Sequence, residues 1–325
     1  MSEFRIDQIT NQSGSRGPDI AGITTFTGTS GIVMPSGDTA YRGGRGRGVF
    51  GVDTTIDYIT IATTGNASDF GDLTEDRSQL AACSSSIRGV FGGGGPSVVN
   101  TIDFITISST GNAFDFGDLI EIRRRLSALS SSTRGVFGGG QTPTVVNTID
   151  FITISSTGNA TDFGNLIGIN RELAACSSST RGVLGGGGDS PANVNIIQFI
   201  TISSTGNTSD FGDLSQTPSL LAACSNSVRG VFGGGQPGFL NTIDYITIAS
   251  TGNAQDFGDL TQARLGLAAC SSSTRGVFGG GLTPTAVNTI DFITIASTGD
   301  AVDFGDFPST RNLLAACSDS HGGLG

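Results

Sequence analysis

The residues from which this chain could build chemistry come in sets, each set holding one place in a repeat. Asp-Phe-Gly occurs six times, ending at Gly71, Gly117, Gly164, Gly212, Gly258 and Gly305. In phosphoryl transfer that triplet binds metal, but there it stands once, beside a Gly-rich loop, a strand Lys and a catalytic loop. None of that context is present. Glycine runs such as 92–95 suggest a phosphate cradle, yet no Gly-Lys-Ser/Thr follows and no helix opens after them, so they read as punctuation. Carboxylates recur three apart: Asp69 with Asp72, Asp115 with Asp118, Asp210 with Asp213, Asp256 with Asp259, Asp303 with Asp306. On a strand that spacing sends the two side chains to opposite faces, so no pair makes a glycosidase dyad. An oxygen-rich ring would suit Ca2+, but Asn165 follows Asp162 in the third copy, and turn capping or pairing with Arg is the simpler role. His321 is the only histidine, which leaves no His-based triad or zinc site to assemble.

Two more sets point to structure. Arg88, Arg134, Arg181, Arg229 and Arg275 sit beside apolar strands, with Asp57, Asp103, Asp150, Asp244 and Asp291 nearby. A planar guanidinium bridging neighbouring units through a carboxylate is the expected use. Gln198 breaks the acidic set, so its unit should be held differently. Cys83, Cys176, Cys224, Cys270 and Cys317 share one repeat position with Leu129. Interchange with Leu marks a slot for a small apolar filler, and free buried thiols are expected.

The elements that position these sets repeat with them. Arg-Gly-Val begins at Arg47, Arg88, Arg134, Arg181, Arg229 and Arg275, a spacing of 41 to 48 residues. A period in the forties signals a propeller or a solenoid. In the last full unit, 267–271 suits an inner strand crowded near an axis, 275–280 a second strand ending in glycines, and 290–296 a third strand rich in β-branched residues. A Ser-Thr-Gly-Asp turn then leads to an outer strand over 303–307. Four short antiparallel strands make a propeller blade. The Phe of each Asp-Phe-Gly and Gly-Val-Phe should fill the seams between blades, each ring contributing roughly 1.5–3 kcal/mol.

The first unit lacks an inner strand, and Leu314, Ala315, Ala316 and Cys317 supply an orphan copy of it. Pairing the two removes both free edges. The expected fold is all-β: a six-bladed β-propeller closed by a C-terminal strand completing blade one, with an extended N-terminal segment. The blades fall at 47–73 with 313–325, then 79–119, 126–166, 173–214, 220–260 and 267–307. The domains are an N-terminal segment, 1–46, and the propeller, 47–325.

Net charge of -11 and a pI near 4.4 disfavour nucleic acid and anionic membrane surfaces as partners. No run of eighteen apolar residues is present, so no membrane insertion is expected. The first residues lack the basic patch and apolar core of a secretory signal. No cofactor is expected.

The unit resembles the kelch repeat. Arg77, Arg171, Arg264 and Arg311 precede the inner strand, Phe91-Gly92-Gly93 matches the glycine doublet, and Tyr58, Phe104, Phe151, Phe199, Tyr245 and Phe292 match the aromatic position. The Trp of that pattern is replaced by the Phe of Asp-Phe-Gly. Over residues 4–14, 17–20 and 22–24 the chain is similar to N-terminal stretches of virion structural proteins of marine tailed phages. That resemblance implies a non-enzymatic virion component: a tail fibre, appendage or capsid decoration, made without a signal peptide and carried on the particle. Residues 1–46 would dock on other virion proteins, and the propeller would face outward. The loops after the glycine runs vary while the scaffold does not, which makes them the candidate binding surface for host-surface glycan or protein. Their residues are Gln141, Thr142 and Pro143; Asp189 and Ser190; Gln236 and Pro237; Leu282 and Thr283. A homo-oligomer is compatible with this reading. The alternatives are a cellular kelch-type scaffold and a glycan-processing enzyme, the latter needing an acidic pair in one blade that breaks the symmetry.

Overall fold

The structure, a computed structural model, describes residues 46–189 and 192–324. The expected attachment segment therefore lies outside the described residues up to Gly46, and so does Ser190. The rest is a closed ring of six antiparallel blades. Blade two shows the pattern: Ala81–Ser84 innermost, then Arg88–Gly92, Thr101–Thr106 and Phe114–Asp118. Inner strands of four residues recur at Ser127–Ser130, Ala174–Ser177, Ala222–Ser225, Ala268–Ser271 and Ala315–Ser318.

The last of these belongs to blade one. Gly48, Val49, Phe50 and Gly51 pair with Ser318, Cys317, Ala316 and Ala315, the register in which Gly89–Gly92 meets Ala81–Ser84. The ring closes as the sequence implies.

Blade one departs from its copies elsewhere. Its second and third strands are one extended run, Arg47–Thr60, whose first part pairs with Ala315–Ser318 and whose second part pairs with Ser68–Arg77. Asp53, at φ 55°, turns the chain between them. The N–H of Ile61 returns to the Gly46 carbonyl at 2.7 Å, as Ile107 returns to Ile87 at 2.9 Å in blade two. Blade one thus has no long loop here, which accounts for the shortest repeat spacing. Other bounds also differ from expectation: in blade six the third strand is Val287–Thr294 and the outer strand runs on as Val302–Arg311.

Because each blade is covered on both faces, period-2 alternation divides apolar residues between two seams rather than between core and water. Ile102 and Phe104 pack toward blade three, while Ile105 and Ile107 pack toward blade one. Six such seams give six separate apolar clusters. Phe91, fully buried, crosses to blade one and lies over Gly51; a Cβ there would stand 2.8 Å from its ring. Phe137 covers Gly92 at 2.7 Å in the same way. Backbone and ring approach so closely that only glycine fits.

The cysteines fill the same seams. Cys83 lies against Gly135 of blade three, and Leu129 takes that role against Gly182. All five thiols are buried and free. Burial pushes Cys224 and Cys317 up to about 12, so these are inert fillers.

The carboxylate bridge expected of Arg88 and its copies is made by the other arginine set. The guanidinium of Arg88 lies 4.6 Å over the Phe104 ring and donates to the carbonyl of Ile154 in blade three. All six members of this set stack likewise, so they bridge blades through a carbonyl and not through a carboxylate. The carboxylates belong to the arginines that precede the inner strands. Arg77 pairs with Asp103, Arg123 with Asp150, Arg264 with Asp291, and Arg311 with Asp57. Each joins one blade to the next, and Arg123 and Arg264 are fully buried with their partners. Burial, the larger effect, raises the carboxyls of Asp57, Asp150 and Asp291, with the guanidinium opposing it.

Arg171 does not belong to that set. Asn170 holds the position, and its amide donates to Gly186 O at 2.9 Å, as Arg123 donates to Gly139 O at 3.0 Å. Opposite it, Gln198 accepts from the Ile167 N–H at 3.0 Å. Arg and Asp have been replaced together by two uncharged amides, so blade four is indeed held differently. At the next seam Pro218 replaces the Arg, and Asp244 keeps only Ser215 as partner, at 2.8 Å and 2.9 Å.

Candidate binding face and channel

Each inner strand runs from one face of the disc to the other, and this fixes what gathers at each end of the channel. At the far end stand the serines that close each Leu-Ala-Ala-Cys-Ser copy, Leu129 standing for Cys in the third. Ser84 Oγ donates to Ser318 O, Ser130 to Ser84, Ser177 to Ser130, Ser225 to Ser177, Ser271 to Ser225, and Ser318 to Ser271. These bonds of 2.6–2.8 Å form an unbroken circle of buried hydroxyls. Residues after Ser318 fold into this end. His321 Nε2 donates to Ser84 O at 2.9 Å, and its Nδ1 accepts from the Gly323 N–H at 3.1 Å. Gly323 lies against Ser130 O so closely that no Cβ fits. The sole histidine thus fixes a tail segment in the channel, where a second cavity of about 60 Å³ ends.

The near end carries the loops. A second circle closes here, made of backbone alone. Arg125 N donates to Gln79 O, Glu172 to Arg125, Leu220 to Glu172, Gly266 to Leu220, Leu313 to Gly266, and Gln79 to Leu313, all at 2.7–2.9 Å. The six residues share a left-handed backbone, φ 55–63°. Their side chains share nothing. Gln79, Arg125 and Glu172 make a polar sector; Leu220, Gly266 and Leu313 make an apolar one. Arg125 donates Nε–H to Gln79 Oε1 at 3.0 Å and pairs with Glu172. Behind them lies a channel cavity of about 130 Å³.

The loops sit on this face because the residue after each glycine run bridges to a residue just before the inner strand of its own blade, as Gln141 does with Arg124 and Gln236 with Ser219. Gln141 is half-buried and its Oε1 accepts from Arg171. Thr142 N donates to Thr144 O at 3.0 Å, which leaves Pro143 exposed at the tip. Gly188–Asp189 pairs with Ala192–Asn193 in a small hairpin found only in blade four among the described residues. Gln236 Nε2 donates to Ser219 Oγ at 2.9 Å, and Pro237 is exposed. Leu282 bridges to Leu265, and Thr283 N donates to Thr285 O at 3.0 Å.

A polar cavity of about 400 Å³ gathers part of this set, namely Gln236 and Pro237 with Gly188 and Asn193, against Arg125, Arg171 and Glu172. Gln141 joins through Arg171, whereas Leu282 and Thr283 lie on blade six and do not line it. The mouth residues were not among the candidates drawn from sequence. Their signal is faint but present: the residue directly before the Leu of each inner strand differs from copy to copy, while that Leu is kept in all six.

The paired aspartates of the outer strands are spread around the rim. Asp72 N donates to Asn112 Oδ1 of the next blade at 3.1 Å, and every blade repeats this with its neighbour's turn. The turn residue does the capping. Among the described residues no group of three or more His, Cys, Asp or Glu side chains is placed to hold a metal ion. Comparison with protein-family models finds no match to this chain, and a search of curated proteins finds none either.

Proposed function

We propose that this chain is a non-enzymatic structural protein of a tailed-phage particle, a fibre, appendage or decoration component that displays its propeller for binding. A β-propeller suggests an interaction or binding role, and one observation carries that role to a particular surface. At the mouth six equivalent positions hold five residue types and the adjoining loops differ from blade to blade, while the circle at the opposite end keeps one serine in all six copies. A scaffold that holds its frame constant and varies one face is built like a recognition module. The kelch-like order of elements supports the display role, and the phage-like stretch within residues 1–46 supports attachment to other virion proteins. The target is a glycan or protein of the host surface, met outside the cell by the particle.

Mass spectrometry of purified particles tests the assignment. Peptides of this chain should appear at stoichiometric yield and survive high-salt washing. Recovery only from the soluble fraction of cells would overturn the virion role and favour a cellular scaffold of the same fold.

A further inference from the structure

Among the described residues most arginines are accounted for by the repeat: six stack on aromatic rings and four pair with buried aspartates. Three are outside it, Arg124, Arg125 and Arg171, and all three stand at the mouth where blades two, three and four meet. In a chain of net charge -11, cations that serve no repeat role and share one sector of one face call for a ligand. Arg171 has a single side-chain partner, Gln141 Oε1, and Arg124 Nε is buried with none. Their setting is a concavity rather than a flat patch. The cavity lined by Arg125 and Arg171 has a volume of about 400 Å³, within the range of small-ligand sites. Its far wall is the blade-four hairpin, tied to blade five by Asn193 Nδ2 donating to Gln236 O at 3.5 Å. Amides of Asn193 and Gln236 offer both donors and acceptors on the cavity wall. Guanidinium and amides are the groups that recognise the carboxylate and the hydroxyls of one ligand class.

We propose that this cavity binds a carboxylate-bearing sugar residue, a uronic or sialic acid of a surface glycan. Arg171 holds the carboxylate, and the amides of Asn193 and Gln236 take the hydroxyls. Glu172 opposes an anion and engages Arg125, so it sets the affinity from the other side. The proposal rests on the reading of the loop face as a recognition surface and specifies its ligand.

The test is titration calorimetry of the full chain with sodium glucuronate and with N-acetylneuraminic acid, using glucose as the neutral control. Both acids should bind and glucose should not. Arg171→Ala should weaken the acids at least tenfold with little change in the thermal transition, because the half-buried side chain makes one side-chain hydrogen bond, to Gln141, and no ion pair. Glu172→Gln should strengthen them several-fold, a change of sign that a misfolded variant cannot produce. Equal binding of glucose and the acids, no binding of either acid, or indifference to Arg171→Ala overturns the proposal. Binding of the parent chain and Arg171→Ala to intact host cells separates the two readings. If both bind equally, the recognition face stands and this site falls. If neither binds, the recognition reading falls with it.

Discussion

The two ends of the channel solve the same problem with different atoms. Six inner strands must be tied in a circle at each end. At the serine end the tie is a side chain, so every copy must spell the same residue. At the mouth the tie is N–H to carbonyl, which every residue owns, and there six positions hold five residue types. At the mouth the backbone tie leaves the side chains free to differ from copy to copy. The left-handed conformation at the mouth is a modest expense for that freedom, of order 1 kcal/mol for a non-glycine residue.

The contrast can be broken most severely in the part of the frame that depends on side chains. Asp150→Ala leaves the Arg123 guanidinium buried without its carboxylate and should cost about 3–5 kcal/mol in urea denaturation. The double change Arg123→Asn with Asp150→Gln copies the neighbouring seam and should recover most of that loss. Failure of the rescue would mean that Asn170 and Gln198 depend on something peculiar to blade four. Next in size, Ser177→Ala opens the serine circle at one link and strands the Ser130 carbonyl, for about 1–3 kcal/mol by the same measurement. At the mouth the corresponding change should be nearly silent. Leu220→Gly reproduces what Gly266 does in the next copy and should shift stability by less than about 1 kcal/mol, lost contact and relieved strain offsetting each other. A loss above about 2 kcal/mol there would show that side chains also hold the mouth.

The smallest effect concerns the seam where Pro218 stands in place of arginine. Burial, the main cause, and nearby Asp256 raise the Asp244 carboxyl above 3.8, against the hydrogen bonds of Ser215. A carboxyl with a raised folded-state value binds its proton more tightly when folded. Its contribution is therefore complete below the unfolded value near 3.8 and declines as pH rises through the folded one. Asp244→Asn should flatten the stability profile over that window, from pH 3.8 upward, in parallel denaturation series. An unchanged profile would place the pH dependence elsewhere.

The architecture was legible because the repeat compresses the problem. The spacing of Arg-Gly-Val, the missing first strand and the orphan Leu314-Ala-Ala-Cys317 together left one way to close the ring, and the strands pair in that register. What the sequence concealed was which of two arginines reaches the aspartate. Arg88 and Arg77 both recur near Asp103, but one begins a strand beside an aromatic ring and the other enters from the preceding blade. Linear spacing does not report from which side a group approaches. Arg171 was misleading because it stands one place from Asn170, and one place at the mouth separates a buried tie from a half-buried cation. The candidate loops were found as loops, since glycine runs and prolines announce them. The mouth went unnoticed because its role is carried by conformation, with no residue type in common.

Closure through Ala315–Ser318 also sets an order of events. The strand that completes blade one meets Gly48 to Gly51 across nearly the whole described chain, so the contact that seals the ring is the most distant in sequence and the slowest kind to form. On the ribosome, five blades and a fragment must wait with strand edges open until residue 318 emerges. Fidelity of this protein's production then depends on residues 315–318: a chain cut short before Ala315 has every variable loop and no strand to close the ring that holds them.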